Sequence, residues 1–443
     1  MQNQGIRDAR SLGAPKLLVL GLQHMFAMFG ATVLVPALTG LSVSATLLFA
    51  GLGTLFFHFL TKGKVPAFLG SSFAYLAGYA AIAPNGEAAL LPYACVGVAA
   101  SGLLYLILAA LVRGFGANRV MRFFPPVVTG PIIICIGMTL ANSAINNCTG
   151  SWDIALVAIL TVVIFNIWGK GMLRIIPILL GVLVSYVYAA VTGRVDFSGV
   201  ASAAWIGLPV KMENTVFSLI GNCDANLLVT AIIAIMPIAF ATMIEHIGDI
   251  CAISSTVGAN FIADPGLHRT LLGDGLATSI ASLFGAPANT TYGENTGVLA
   301  LTRVYDPLVI RLAAVYAIIA SFCPKFAALV SAMPTGTIGG VSLILYGMIS
   351  AIGVRNLVEN RVDLAKSRNV IVVSLIISLA LGITFSTAGA ITFHVGEFTL
   401  NFSGLAVAAI VGIVVNAILP GKDYNFQNDY EYGKTTEDHG QML

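Results

Sequence analysis

The sequence predicts an all-α polytopic membrane protein. Hydrophobic residues make up 57% of the 443 residues, charged residues make up only 9%, and the mean hydropathy is +0.91. Apolar runs recur at close to the roughly 20-residue length that spans a bilayer as an α-helix. These features exclude a soluble globular protein. The net charge of +2 is spread over many short loops, which argues against a nucleic-acid partner.

Polar residues, Pro and Gly divide the apolar sequence into about fourteen candidate spans. Cytoplasmic loops carry an excess of Lys and Arg, so the 22 cationic residues test this division. With the N terminus inside, all of them except Arg194, Lys211 and Lys325 lie at or near the cytoplasmic side. We therefore expect both termini in the cytoplasm, with residues 421–443 as a polar tail. The candidate spans are 17–38, 44–61, 66–83, 89–112, 125–145, 153–168, 172–192, 225–250, 270–286, 290–302, 307–330, 334–353, 369–389 and 402–420.

Weak internal similarity relates the two halves of the chain. The matched pairs, in chain order, are 23–24 with 245–246, 70–75 with 289–294, and 130–138 with 340–348. A repeat of seven spans, an odd number, places the two halves in opposite orientations, as in many secondary transporters. Chance similarity among helices rich in Gly, Ala and Ile is the alternative.

Spans 3 and 10 depart from the pattern of ordinary transmembrane helices. Their segments 69–73 and 287–293 are short and rich in Ser, Thr, Asn and Gly. We interpret each as an extended piece followed by a half-helix, the two extended pieces pairing because backbone polar groups inside a bilayer need partners. Each half-helix then offers free N–H groups to a ligand, at Tyr75 in the first half and Glu294 in the second. Two continuous helices packed through small residues are the alternative.

Four carboxylates within or beside apolar stretches are the candidate functional residues: Glu245, Asp249, Asp274 and Glu294. A charged group at mid-bilayer depth costs roughly 2.5–3.5 kcal/mol, so such residues usually face an ion or substrate pathway. Glu245 and Asp249 share a helix face at i and i+4, which favours a site that takes up and releases a proton. The alternative for this pair is a structural role with polar packing partners. Asp274 fits an interfacial cap as well as a functional site.

Other classes of function find little support in the sequence. His24 and His246 are predicted to be buried hydrogen-bonding residues, since no third ligand lies near either at metal-site spacing. No nucleophile with its base appears, so neither an enzyme nor a bound cofactor is expected. A channel needs a continuous polar pore, and the spans contain no ring of charges beyond the four acids. The sequence therefore favours a transporter.

Several sequence blocks resemble the nucleobase/ascorbate transporter family, also called the nucleobase:cation symporter-2 family, in its uracil permease branch. The most distinctive block reads ENTGVLALTR. The blocks occur in order and cover nearly the whole chain except the tail. They are 23–32, 70–73, 244–246, 264–269, 294–303 and 339–347.

This resemblance implies a fold of two inverted seven-span repeats. The repeats are expected to intertwine into a core domain, spans 1–4 and 8–11, and a gate domain, spans 5–7 and 12–14, with substrate between them. The core then comprises residues 1–118 and 225–330, and the gate comprises 119–224 and 331–420. The resemblance also implies a multi-pass protein of the cell membrane that forms a homodimer through its gate domains.

The resemblance further implies proton-coupled uptake of uracil by alternating access. By motif, Glu245 and Glu294 are expected to hold uracil through their side chains, and Phe73 and Gly293 through backbone N–H groups. The remaining implied site residues are Ala31 at the border, Tyr346 on the gate side, and the supporting residues His24, His246, Tyr292 and Asn295.

The substrate and the proton site stay open at this stage. Purine-transporting relatives typically have Gln at the position of Glu294, yet xanthine also offers ring N–H donors. A permease of the same fold for xanthine, another purine or another nucleobase is therefore the alternative. Some uracil members have His at the position of Asp249, so the proton-relay role of that His does not transfer to this chain. The proton site is expected at Glu245, Asp249 or both, with Asp274 as a further candidate.

Overall fold

The computed structural model describes residues 5–221, 223–395 and 398–421 and is predominantly helical. Apart from Gly421, the predicted tail at 421–443 lies outside these residues. The elements in chain order are α1 (Ala14–Thr39), α2 (Val43–Leu60), β1 (Leu69–Ser71), α3 (Leu76–Ile82), α4 (Leu91–Phe115), α5 (Ala117–Met121), α6 (Pro126–Cys148), α7 (Trp152–Trp168), α8 (Met172–Ile175), α9 (Pro177–Val191), α10 (Ser198–Ser202), α11 (Ala225–Ile235), α12 (Ala239–Val257), α13 (Leu267–Leu283), β2 (Asn289–Thr291), α14 (Gly293–Thr302), α15 (Pro307–Ser321), α16 (Pro324–Ser331), α17 (Thr335–Glu359), α18 (Ser367–Thr384), β3 (Ala390–Val395), β4 (Phe398–Ser403) and α19 (Gly404–Ile418).

The helices account for the apolar runs of the sequence. In the described chain, seven helical segments are long and apolar enough to cross a membrane when α11 and α12 are taken together. The pair α15 and α16 makes an eighth if it forms one span, and α7, α9 and α19 are shorter apolar helices. The prediction of a helical fold with many membrane spans is therefore confirmed. The division into about fourteen spans stays a prediction.

Proline interrupts the helix within two of the predicted spans. Pro237 lies in a short 3-10 turn between α11 and α12, because proline lacks the N–H that continues an α-helix. Pro324 begins α16 after a break at Phe322 and Cys323, and the axes of α15 and α16 differ by 88°. The predicted spans at 225–250 and 307–330 therefore each contain two helices.

The extended segments predicted in spans 3 and 10 are confirmed as a buried pair of short strands. β1 and β2 pair antiparallel, with Leu69 opposite Thr291 and Ser71 opposite Asn289. All residues of both strands are buried. The backbone N–H of Leu69 also donates to Thr54 Oγ1 at 2.8 Å. Strand pairing and side chains thus supply partners that lipid cannot offer to extended backbone.

A second strand pair lies where the sequence analysis placed a loop and a helix start. β3 and β4 form an antiparallel hairpin between α18 and α19. This segment mixes β-branched and aromatic residues, a composition that favours strands over helix. Helix α18 consequently ends at Thr384 rather than near residue 389, and α19 begins at Gly404 rather than 402.

Small residues bring the helices close together. A Cβ atom on Gly137 of α6 would lie 2.2 Å from the carbonyl oxygen of Tyr346 on α17. One on Gly353 of α17 would lie 2.6 Å from the carbonyl oxygen of Gly130 on α6. Gly275 of α13 is packed as tightly against α4. These contacts fix α17 against α6, and α13 against α4.

Candidate functional site

The start of α14 adjoins open space. β2 leads into α14 through Tyr292, whose extended backbone is the N-cap and whose side chain makes no capping hydrogen bond within the described residues. The first N–H groups of α14 therefore have no capping side chain. Gly293 is exposed, with nothing within 4 Å of the position a Cβ would take. The half-buried Glu294 follows in the first turn, at the positive end of the helix dipole.

The first half of the chain repeats this arrangement in shorter form. β1 is followed by Phe73 and then by α3, whose N-cap is Tyr75, as the sequence analysis expected. The hydroxyl groups of Tyr75 and Thr242 lie 3.3 Å apart, which connects the start of α3 to α12. The first half-helix, α3, therefore begins beside α12, and the second, α14, begins directly after β2 of the strand pair.

Glu245 and Asp249 lie one helical turn apart on α12, and both are half-buried. The Oε2 atom of Glu245 is buried and has no hydrogen-bond partner among the described residues. Asp249 Oδ2 accepts a 2.8 Å hydrogen bond from the hydroxyl of Thr291 on β2. The two acids thus differ, since one is tied to the strand pair and the other has a free acceptor oxygen.

Asp274 is fully buried, at 0% exposure, in the middle of α13. The interfacial cap considered from the sequence is therefore wrong, because a cap lies at a helix end. Its Oδ2 atom is 3.5 Å from Nδ1 of His246, which is equally buried, and no hydrogen-bond donor reaches either carboxyl oxygen among the described residues. Asp274 and His246 form a second polar pair beside the first.

The four predicted carboxylates lie in one region. Glu245 is within electrostatic range of Asp274 and Glu294, and Asp249 is within range of Glu245 and Glu294. Such a concentration of acids inside a membrane protein is expensive unless the acids share protons or bind a ligand. Among the described residues, no cluster of three His, Cys, Asp or Glu side chains has the arrangement of a metal site.

Tyr292 and Asn295 tie the start of α14 to α1 and β1. The Tyr292 hydroxyl donates to the carbonyl oxygen of Ser71 at 2.8 Å and lies 3.3 Å from Thr32 Oγ1. Asn295 Nδ2 lies 3.2 Å from Nδ1 of His24 and donates to the His24 carbonyl oxygen at 3.1 Å. These residues fix the half-helix in place.

Phe73 and Tyr346 meet at the side of α17. Their ring centroids are 5.8 Å apart at an interplanar angle of 74°, an edge-to-face contact. Both rings are buried, and the Tyr346 hydroxyl has no hydrogen-bond partner among the described residues. Ala31, fully buried on α1, precedes the Thr32 that contacts Tyr292.

The sequence analysis missed the polar partners Thr32, Ser71, Thr242 and Thr291. Each supplies a hydroxyl to a predicted residue or to the strand pair. Ser71 and Thr291 belong to the polar segments that the sequence singled out, so composition offered a signal there. Thr32 and Thr242 lie within apolar helices and gave none.

A polytopic helical fold in which two paired strands lead into half-helices, beside buried and half-buried acids, defines a membrane transport protein. The Permease family model matches residues 15–389, and the chain belongs to this family. The uracil permease of Bacillus caldolyticus is 42% identical over 437 residues, covering 96% of each chain. The uracil permease of Bacillus subtilis (strain 168) is 39% identical over 452 residues, covering 99% of this chain and 98% of the relative. The family resemblance found in the sequence is confirmed.

The fold itself is similar to that of a solved transporter with little sequence identity. The transmembrane domain of a cyanobacterial bicarbonate transporter, BicA, superposes with a TM-score of 0.63 at 13% identity. The superposition covers 94% of this chain and all of that domain. At this identity the similarity supports the fold alone.

Proposed function

We propose that the chain takes up uracil across the cell membrane as a proton-coupled symporter. The observation that carries this proposal is the open space at Gly293, with Glu294 beside it and the buried Glu245 Oε2 lacking a partner among the described residues. The relatives named as uracil permeases support the choice of uracil over other small polar substrates.

Uracil complements the polar groups of this region. It carries two ring N–H donors and two carbonyl acceptors. Ionised carboxylates only accept hydrogen bonds, so the side chains of Glu245 and Glu294 bind the N–H groups. The N–H groups at the start of α14, and the backbone near Phe73, bind the carbonyl oxygens. His24, His246, Tyr292 and Asn295 hold these elements in position, and Ala31 borders the site.

Proton coupling follows from the neighbouring acids. Glu245, Asp249 or both take up the proton, with Asp274 as a further carrier. Protonation neutralises charge before the loaded site moves through an apolar barrier, where a bare carboxylate is costly. The hydrogen bond from Thr291 to Asp249 transmits this change to β2 and hence to α14.

Alternating access requires two bodies that move against each other. The proposed core comprises 1–118 and 225–330, and the proposed gate comprises 119–224 and 331–420. Antiparallel pairing relates β1 and β2 by a local two-fold axis, as two inverted seven-span repeats would. The contact between Phe73 of the core and Tyr346 of the gate closes one side of the site. Both termini are cytoplasmic, and the gate domains form a homodimer.

A xanthine or purine permease on the same fold is the competing function, because xanthine also presents ring N–H donors. Uptake of labelled uracil in cells lacking other uracil transport, with unlabelled xanthine, thymine or 5-substituted uracils as competitors, separates the two. We expect uracil and 5-substituted uracils to compete and xanthine to have little effect. Competition by xanthine at the same concentration as uracil would support the purine function instead.

A further inference from the structure

An apolar groove opens on the flank of the molecule between α4, α5, α12 and α19. Its volume is about 500 Å³, within the range of roughly 300–1,000 Å³ found for small-ligand sites. Leu108, Leu111 and Phe115 recur at helical spacing and form a stripe along α4. Phe240 of α12 and Ile413 of α19 line other walls. The groove therefore touches both the proposed core and the proposed gate.

Positive charge lies at one end of this groove. Arg119, which is exposed, lines it just beyond the C-terminal end of α4. Asn416 follows Ile413 by one turn of α19, donates to the Arg122 carbonyl oxygen at 3.4 Å and accepts from Arg368 Nη2 at 2.6 Å. Within residues 5–421, as far as the structure describes them, no salt bridge joins Arg119, Arg122 or Arg368 to an acid. The apolar groove thus has one guanidinium group in its lining, that of Arg119, which no acid neutralises in the described structure.

We propose that this groove binds one anionic phospholipid, with an acyl chain along the α4 stripe and its phosphate against Arg119. An apolar lining with one cationic end is complementary to such a lipid. Guanidinium groups bind phosphate through two parallel hydrogen bonds. Basic pockets between transmembrane helices on the cytoplasmic side bind anionic headgroups, and the distribution of Lys and Arg places Arg119 on that side.

Native mass spectrometry of the full-length protein in detergent tests this site. The protein is titrated with phosphatidylglycerol or with phosphatidylcholine of the same acyl chains. We expect about tenfold tighter binding of phosphatidylglycerol, a preference that Arg119→Gln abolishes. Leu111→Trp fills the groove and lowers phosphatidylglycerol binding by a similar factor. Two controls lie outside the groove lining: Arg174→Gln, at an exposed Arg of α8, and Leu103→Trp, at an exposed Leu of α4.

Several results would overturn the proposal. Equal binding of both lipids, or a preference that survives Arg119→Gln, would mean that the bound molecules are ordinary surrounding lipid. Unchanged phosphatidylglycerol binding by Leu111→Trp would show that the acyl chain does not lie in the groove. Loss of a dimer in Leu111→Trp with lipid binding intact would assign the groove to a second copy of the chain. Because lipid binding is measured without uracil, its failure is distinguishable from failure of the proposed transport function.

Discussion

The hydroxyl of Thr291 donates a 2.8 Å hydrogen bond to Oδ2 of Asp249, joining β2 to α12. Thr291 is buried and Asp249 is half-buried. Since β2 leads directly into α14, a carboxylate proposed for proton coupling is one hydrogen bond from the strand that positions Glu294. The strand pair is therefore more than a means of satisfying backbone groups within the membrane.

Replacing Thr291 tests the energetic importance of this bond. Thr291→Val keeps the shape but leaves Asp249 without its donor, so we expect about 1–3 kcal/mol less stability, seen as a lower melting temperature in detergent. Thr290→Val is the matched control, because the neighbouring Thr290 hydroxyl is buried without a partner among the described residues. Equal melting temperatures for the two variants would show that the bond contributes nothing.

Glu294→Gln tests whether this carboxylate binds the substrate. The change keeps the shape but replaces one acceptor oxygen by an NH2 donor, which then faces a uracil N–H. We expect uracil binding to weaken by roughly 10- to 100-fold, as for a lost charge-assisted hydrogen bond. Calorimetry on the purified variant measures this, with the exposed Glu359→Gln as control. If Glu294→Gln binds uracil with the affinity of the wild-type protein, Glu294 does not bind the substrate.

Gly293 and Phe73 are proposed to act through their main-chain N–H groups, so side-chain size is the variable. Gly293→Val places a branched side chain in the open space at the start of α14, and we expect uracil binding to be lost. Phe73→Leu keeps an apolar side chain and is expected to be milder. Gly382→Val is the control, since Gly382 on α18 also has open space at its Cβ position. Normal transport by Gly293→Val would show that the site lies elsewhere.

Much of the fold could be predicted from the sequence because a bilayer allows few backbone conformations. Apolar runs therefore located the helices, and the polar segments at 69–73 and 287–293 located the strand pair. The breaks at Pro237 and before Pro324 were overlooked, although proline gives a local signal for them. The hairpin of β3 and β4 was missed because hydropathy separates spans from loops and does not distinguish a loop from a hairpin.

The candidate site was predictable in its acids but not in their partners. Buried charge is costly, so Glu245, Asp249 and Glu294 stood out by position alone. Asp274 was ambiguous because its depth within α13 depends on where the helix begins. Its proximity to His246 comes from helix packing, which residue spacing does not reveal.

Glu245→Gln and Asp249→Asn separate the two acids of α12. Each change mimics a permanently protonated side chain. We expect Glu245→Gln to lose proton-driven accumulation of uracil more severely than Asp249→Asn, because the buried Glu245 Oε2 has no competing donor within the described structure. Uracil binding measured on the same preparations distinguishes lost coupling from lost affinity. If uphill uptake of uracil persists in Glu245→Gln, the proton carrier is Asp249 or Asp274 instead.

The most direct test of proton-coupled uracil uptake is transport by the wild-type protein in proteoliposomes. Labelled uracil is present at the same concentration outside and inside the proteoliposomes. A pH gradient that drives protons inward, with the outside acidic, is then imposed. We predict accumulation of uracil above its outside concentration, which collapses when a protonophore removes the gradient. Equilibration without accumulation, at the same rate with and without the gradient, would contradict the account.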